Sequence, residues 1–329
     1  MEKTVITLEK ESSRDFIILN LTDPQLSDNE WADGHINRKI LETTVRELIE
    51  KVKPDLVTVS GDLAWAGCDL AYQKFAELIE SFGVYWSVVW GNHDNQNGAE
   101  YIEKIVTLYS GYSHFVYEKG DPELGNGNFV ITIEEDGRIV ESLIMMDTHD
   151  KDKYVDLDGQ EKESWSKLTQ SQIKWYVEQI KRLKEKGCSD ATMIIHIPIY
   201  AYNYASEKAH KNPKSIKDIT LEQSYRPESW NDGYLNSVGV QREGIGSYRF
   251  DDGVFDVIKN EGVTARVISG HDHVNNTIIN YNGIDLIYAL KTGAGCYWES
   301  WLNGGTVLKI NKNGVYKVYH EYVDVSDII

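Results

Sequence analysis

Three times in the first hundred residues an apolar, β-branched run ends abruptly in acidic or amide residues, and a helical pattern follows. "DFIILNLT" (15–22) runs into Asp23-Pro24-Gln25, "LVTVS" (56–60) into Gly61-Asp62, and "YWSVVW" (85–90) into Gly91-Asn92-His93-Asp94. Between the first two, Leu41, Val45, Leu48 and Val52 recur at helical spacing over 37–53, with Asn37 placed to cap the helix and Pro54 to stop it. Further helices are expected at about 70–82 and from near Ala99. A β-α-β-α-β order needs crossover helices covering a largely parallel sheet. The strand C-termini of such a sheet share one rim, where ligands bind.

Downstream, 127–148 predicts a hairpin around an Asp-Gly turn, 169–186 an amphipathic helix, and "ATMIIH" (191–196) a strand ending in His196. Short strands are expected at 264–269, 275–280, 284–290, 305–310 and 315–322. Residues 199–250 lack periodicity and are dense in Tyr, Asn, Ser and Gly, a length of loop that points to function or mobility. Without a repeat, a low-complexity tract or a linker, 1–329 reads as one domain with 199–250 as a lid insertion. A hydrophobic share of 41% allows a proper core.

The net charge of −18 disfavours contact with a nucleic-acid backbone, so no nucleic-acid partner is expected. No apolar run is long enough to span a bilayer, and "MEKTVITLEKESSRDF" has no signal-like apolar stretch, so a cytoplasmic location is expected. Cys68, Cys188 and Cys296 are odd in number, lack a C-x-x-C pair and read as small buried side chains. The oligomeric state stays open.

The chemistry lies in the strand ends. Gly270-His271-Asp272-His273, after "ARVIS", offers two imidazoles at i and i+2, a spacing suited to metal ligation. Carboxylates, an amide and imidazoles together suit Mn, Fe or Zn. Each motif alone is weak. Their order along the chain is what makes them specific.

That ordered set (Asp23, Asp62, Asn92-His93-Asp94, His196 and His271-x-His273) resembles the calcineurin-like metallophosphoesterases, in particular phosphatases related to the purple acid phosphatases. The resemblance implies a four-layer αββα sandwich of two mixed β-sheets flanked by helices. It implies a phosphoester hydrolase, most simply a phosphomonoesterase acting on a small phosphoester, with two divalent or trivalent transition-metal ions. Asp62 would bridge them. Asp23 and His273 would complete the first site; Asn92, His196 and His271 would hold the second. His93 would assist the leaving group as hydroxide between the metals attacks. Asp94 would orient His93 through a hydrogen bond, or else cap a helix.

Two positions depart from familiar variants. Gln25 stands where many members carry a histidine, so the first metal would gain only a weak, neutral ligand there. Trp65 stands where purple enzymes carry a tyrosine, so a ferric form would lack the purple band. A phosphodiesterase acting on a nucleotide or lipid headgroup, and a metal-bound but inactive binding module, are the alternatives.

Arg226 and Arg242 are candidates to bind a phosphate oxygen from the lid, alongside His210, Tyr225 and Arg249. Surface pairing of these arginines with carboxylates is the competing account. His149 and His35 could reach the rim or lie at the surface. Tyr200, Tyr202 and Tyr204 could stack on substrate or simply pack. "GAGCYWESW" (293–301) could bring Cys296 or Trp298 near the site, while His114 and His320 look structural.

Overall fold

The computed structural model describes residues 5–209 and 238–329. Its strands are β1 (Val5–Glu9), β2 (Phe16–Leu21), β3 (Leu56–Ser60), β4 (Tyr85–Val89), β5 (Phe129–Glu135), β6 (Arg138–Met145), β7 (Lys151–Val155), β8 (Glu161–Trp165), β9 (Ala191–Ile194), β10 (Thr264–Ser269), β11 (Ile278–Tyr281), β12 (Ile284–Tyr288), β13 (Gly304–Asn311) and β14 (Gly314–Tyr322). One sheet has the order β14-β13-β2-β3-β4; the other, β1-β5-β6-β9-β10-β12-β11; β7 and β8 form a separate hairpin. Both large sheets mix parallel and antiparallel pairs: β2, β3 and β4 are mutually parallel, whereas β13 runs antiparallel to β2. In the other sheet β6, β9, β10 and β12 are parallel, β5 is parallel to β1 but antiparallel to β6, and β11 is antiparallel to β12.

The period-two alternation of each strand decides which layer a side chain joins. Phe16, Ile18, Leu56 and Val89 from one sheet meet Ile131, Leu143, Ile194 and Ile268 from the other in a buried layer between the sheets. Leu19, Val57 and Val59 point outward to Leu41, Val45 and Leu48 of α1 (Ile36–Val52) and to Phe75 of α2 (Asp69–Glu80). On the far side Val130, Met193 and Val267 pack under Ile173, Tyr176 and Ile180 of α5 (Gln170–Glu185). The result is the four-layer αββα sandwich that the resemblance implied. The remaining described helices are α3 (Asn92–Asn95), α4 (Ala99–Tyr109), α6 (Ala201–Ala209) and α7 (Val254–Glu261).

Several local expectations need correction. The cap of α1 is His35, whose Nδ1 accepts from Asn37 N at 3.2 Å; the Asn37 amide instead donates to Glu30. An imidazole nitrogen thus does what a short polar side chain was expected to do. The β1 strand, the β7–β8 hairpin and α6 were not foreseen; α6 lies inside the segment read as irregular. Cys188 is buried, but Cys68 is only partly so and Cys296 is exposed.

Candidate metal centre

The turns after β2, β3, β4, β9 and β10 bring the acidic, amide and imidazole groups to one rim where the two sheets meet. Asp23, Asp62 and His271 hold positive φ values of 52°, 51° and 76°. Such strain in non-glycine residues persists only where the surroundings impose it. Glycine lets the strand ends approach. A Cβ on Gly61 would lie 2.4 Å from His196 Nδ1, and one on Gly91 would lie 2.1 Å from Asp62 Oδ1.

Two groups form. Asp62, His196 and His271 make one; Asp23, Asp62 and His273 make the other, with ligand atoms in each within 4.8 Å of one another. Asp62 belongs to both. Every one of these side chains is buried. Asn92 joins the first group, its Oδ1 lying 3.0 Å from His196 Nε2.

The hydrogen bonds decide what the cluster can hold. His196 Nδ1 donates to Ser60 O at 2.8 Å, which leaves Nε2 facing Asp62 Oδ2 at 3.3 Å. His273 Nδ1 likewise donates to Tyr297 O at 2.8 Å, and its Nε2 faces Asp23 Oδ1 at 3.3 Å. Asp23 Oδ2 is held by Thr22 Oγ1 and His271 N, while Oδ1 has no hydrogen-bond partner. Lone pairs therefore face lone pairs in a buried place, an arrangement that calls for cations.

The titration behaviour agrees. Burial opposes ionisation of Asp23 and Asp62, yet His273 and His196 hold both carboxyls below their ordinary range. Burial also works against a charged His196, but Asp62 and Asp23 raise it to about 10. Burial, with the charge of His196, lowers His271 to about 3.

Gln25 is fully buried beside Asp23, and neither amide atom has a hydrogen-bond partner. Behind Asp23 lies the buried Lys291, whose Nζ donates to Asp23 O at 2.6 Å and whose pKa burial lowers to about 8. Nothing in the local sequence around Lys291 signalled that placement.

His93 sits at the edge of the cluster, its backbone N–H donating to Asp62 Oδ1 at 2.9 Å. Its ring meets Trp65 edge-on at 4.4 Å, and its Nδ1 has no hydrogen-bond partner. The orienting role given to Asp94 is corrected here. The Asp94 carboxylate accepts from Gly91 N at 2.7 Å, Leu63 N at 3.1 Å and Tyr72 Oη at 2.6 Å. It caps α3 and ties that turn to the one carrying Asp62; burial, then Asp62, pushes its pKa up to about 7.

A cavity of about 280 Å³ opens onto Asp62, His93, His271 and His273, walled by Trp165, Glu243, Gly246, Cys296 and Tyr297. Trp165 meets His271 edge-on at 4.4 Å, and Tyr297 stacks on His273 at 4.2 Å. The wall at 243–246 is pinned by residues around the second histidine pair. Asn275 Oδ1 accepts from Arg242 N and Glu243 N, Asp272 from Gly246 N, and Glu243 Oε1 from Val274 N.

The lesser candidates mostly lie elsewhere. Arg242 does not line the cavity; its guanidinium sits 3.7 Å from Glu299 and over Trp301. Arg249 is exposed, and His210, Tyr225 and Arg226 lie outside the described residues. His149 bonds to Gln172 and Asp147, not to the cluster. Tyr202 Oη donates to Val267 O and Ile287 O in the core, and Tyr200 and Tyr204 meet each other. Trp298 packs against the outer core, His114 pairs with Glu80, and His320 is buried among backbone and Thr306.

The family model described as "Calcineurin-like phosphoesterase" matches residues 18–275. "Probable inactive purple acid phosphatase 14" of Arabidopsis thaliana is 26% identical over 283 residues, 78% of this chain and 62% of that protein. "Probable inactive purple acid phosphatase 28" of the same plant is 23% identical over 270 residues, 77% of this chain and 62% of that protein. The chain therefore spans about 62% of the length of these curated relatives. Among solved structures, a dimetal phosphatase from Danio rerio matches with a TM-score of 0.55 at 12% identity, covering 93% of this chain and 99% of that one, a likeness of fold.

Proposed function

The chain belongs to the calcineurin-like phosphoesterase family, and from that premise we propose that it is a metal-dependent phosphomonoesterase using two transition-metal ions. One observation carries this: the buried Asp62 is shared by two groups of ligand atoms, into which His196 and His273 turn their Nε2 atoms. Asp62 would bridge; Asp23, His273 and the unpartnered Gln25 amide would hold one ion, and Asn92, His196 and His271 the other. Bound there, the pair would neutralise the phosphoester's charge and lower the pKa of a water between them.

The chain's own groups do the rest. Ser60 O and Tyr297 O fix the tautomers of His196 and His273. Asp94, through Leu63 N and Gly91 N, keeps the Asp62 and Asn92 turns in register. His93, packed on Trp65 at the cavity edge, would give a proton to the departing oxygen. Residues 243–246 wall the cavity, which supports the lid reading for that part of 199–250.

A metal-bound, inactive protein is the second reading, favoured by the names of the plant relatives and by the amide at Gln25. Against it stands His93, an imidazole outside the ligand set that lines the cavity beside the cluster. Metal analysis of the purified protein, with turnover of p-nitrophenyl phosphate and bis-p-nitrophenyl phosphate under manganese, separates the readings. Two ions per chain and faster monoester cleavage are expected, and Asp62→Asn should lose both ions and at least about a thousandfold in kcat/KM. Full metal occupancy with neither ester cleaved would establish the inactive reading; faster diester cleavage would make it a phosphodiesterase.

A further inference from the structure

The cavity beyond the ligands has a composition unusual for a site that must receive an anion. Among its described lining residues there is no lysine or arginine. Instead Glu243, which is no part of the ligand set, presents a carboxylate between Tyr297 Oη, at 2.8 Å, and Val274 N, at 2.9 Å. Trp165 and Tyr297 add two aromatic rings to the same wall. The Trp165 ring already draws a cation, since Lys151 Nζ lies 5.8 Å from its centroid while pairing with Glu163. Lys291 is buried behind Asp23 with its ammonium held on that residue's carbonyl; its charge reaches Glu243, but it does not line the cavity.

Carboxylate and aromatic rings together attract a cation and repel further negative charge. A nucleoside polyphosphate would bring its extra charge against Glu243, and a neutral alcohol would gain nothing from that carboxylate's charge. The phosphate itself is served by the ligand cluster, so the wall is left to the leaving group. We infer that the preferred substrate is a phosphomonoester of an amino alcohol, its ammonium group seated between Glu243 and the rings of Trp165 and Tyr297. In the reaction a water oxygen forms the new bond to phosphorus, the bond from phosphorus to the amino alcohol breaks, and the released oxygen takes a proton. This inference rests on the phosphomonoesterase reading above.

The test compares phosphocholine with 3,3-dimethylbutyl phosphate, its uncharged carbon isostere, on the full chain loaded with manganese. p-Nitrophenyl phosphate serves as the reference ester. A preference of roughly tenfold in kcat/KM for phosphocholine is expected. Glu243→Gln, whose amide oxygen can still accept from Val274 N while its NH2 donates to Tyr297 Oη, removes the charge and should abolish that preference, leaving p-nitrophenyl phosphate turnover within about twofold. Equal turnover of the two isosteres beside normal p-nitrophenyl phosphate cleavage overturns the inference and leaves the hydrolase standing. Equal loss on all three esters in Glu243→Gln also overturns it, because the carboxylate would then only hold the wall. If no ester is cleaved, the hydrolase reading falls. Calorimetric binding then decides the ammonium seat alone: tighter phosphocholine than isostere supports that seat as a binding site, and equal affinity overturns it.

Discussion

One strand, β10, carries two buried polar clusters, and they are built on opposite plans. Arg266, within the strand, is almost fully buried. Its Nη2 donates to Glu141 at 3.1 Å and contacts Asp190, and its Nε donates to Thr192 at 2.9 Å. Asp190 also accepts from Val315 N at 3.0 Å. Five positions on, just past the strand end, His271 joins the rim cluster. There acceptors face acceptors, Asp23 Oδ1 and both Gln25 amide atoms lack partners, and Lys291 reaches only a backbone oxygen. The Arg266 cluster brings its own cation, although Glu141 Oε1 has no hydrogen-bond partner and burial raises that carboxyl to about 8. The rim cluster leaves its positive charge to be supplied from outside. Both bury charge, but only the second is poised to bind.

Breaking this contrast has graded consequences. His93→Asn should lower kcat by about 10²–10⁴-fold while metal content and the urea unfolding midpoint stay unchanged; loss of metal on that substitution would make His93 part of the cluster instead. Arg266→Ala leaves Glu141 buried without its cation, so a stability loss of about 3–5 kcal/mol in urea unfolding is expected, with unchanged activity per folded molecule. A variant that unfolds like the parent would remove the structural half of the comparison.

His320 sharpens it as a buried imidazole with both nitrogens satisfied, Nδ1 by Thr306 Oγ1 at 3.0 Å and Nε2 donating to Asn276 O at 2.8 Å. Burial lowers its pKa to about 4. The neutral form is the one the fold prefers, so its contribution is present above the unfolded value near 6.5 and disappears as pH falls towards 4. The stability difference between the parent and His320→Gln should therefore shrink by about 3 kcal/mol between pH 7 and pH 4. A constant difference across that range would show that His320 does not titrate as described. The smallest effect is expected at Gln25. Replacing it with histidine should tighten manganese binding at one of the two sites by roughly tenfold in calorimetry, without change at the other. Equal tightening at both, or none, would mean that Gln25 is not a ligand.

The candidate ligands were legible because each sits at a strand end marked by its own local pattern. An apolar run broken by Gly-Asp, Gly-Asn-His-Asp or Gly-His-Asp-His records a backbone that must turn tightly at a shared edge. The layers were legible too, since alternation in "LVTVS" or "ARVIS" assigns one side chain to each core. Asp94 was not. Its neighbour in sequence is His93, but its hydrogen-bond partners lie at Gly91, Leu63 and Tyr72, and only the packed structure brings the last two there. Trp65 was noticed for the tyrosine it replaces, not for its contact with His93. The hairpin ending in Trp165 was missed because its strands are charged and exposed, leaving little apolar alternation to read.

The sequence by itself determined the alternation of strands and helices and the chemical type of the rim, because strand periodicity and turn residues are local properties of the chain; the sandwich came only through the family resemblance. The tertiary structure alone decided what surrounds that rim: Lys291 beneath Asp23, Trp65 against His93, and Glu243 with Tyr297 and Trp165 along the cavity. These groups come from distant segments and meet only when the two sheets close. A contact set by packing across many tens of residues leaves no pattern in the local order of side chains.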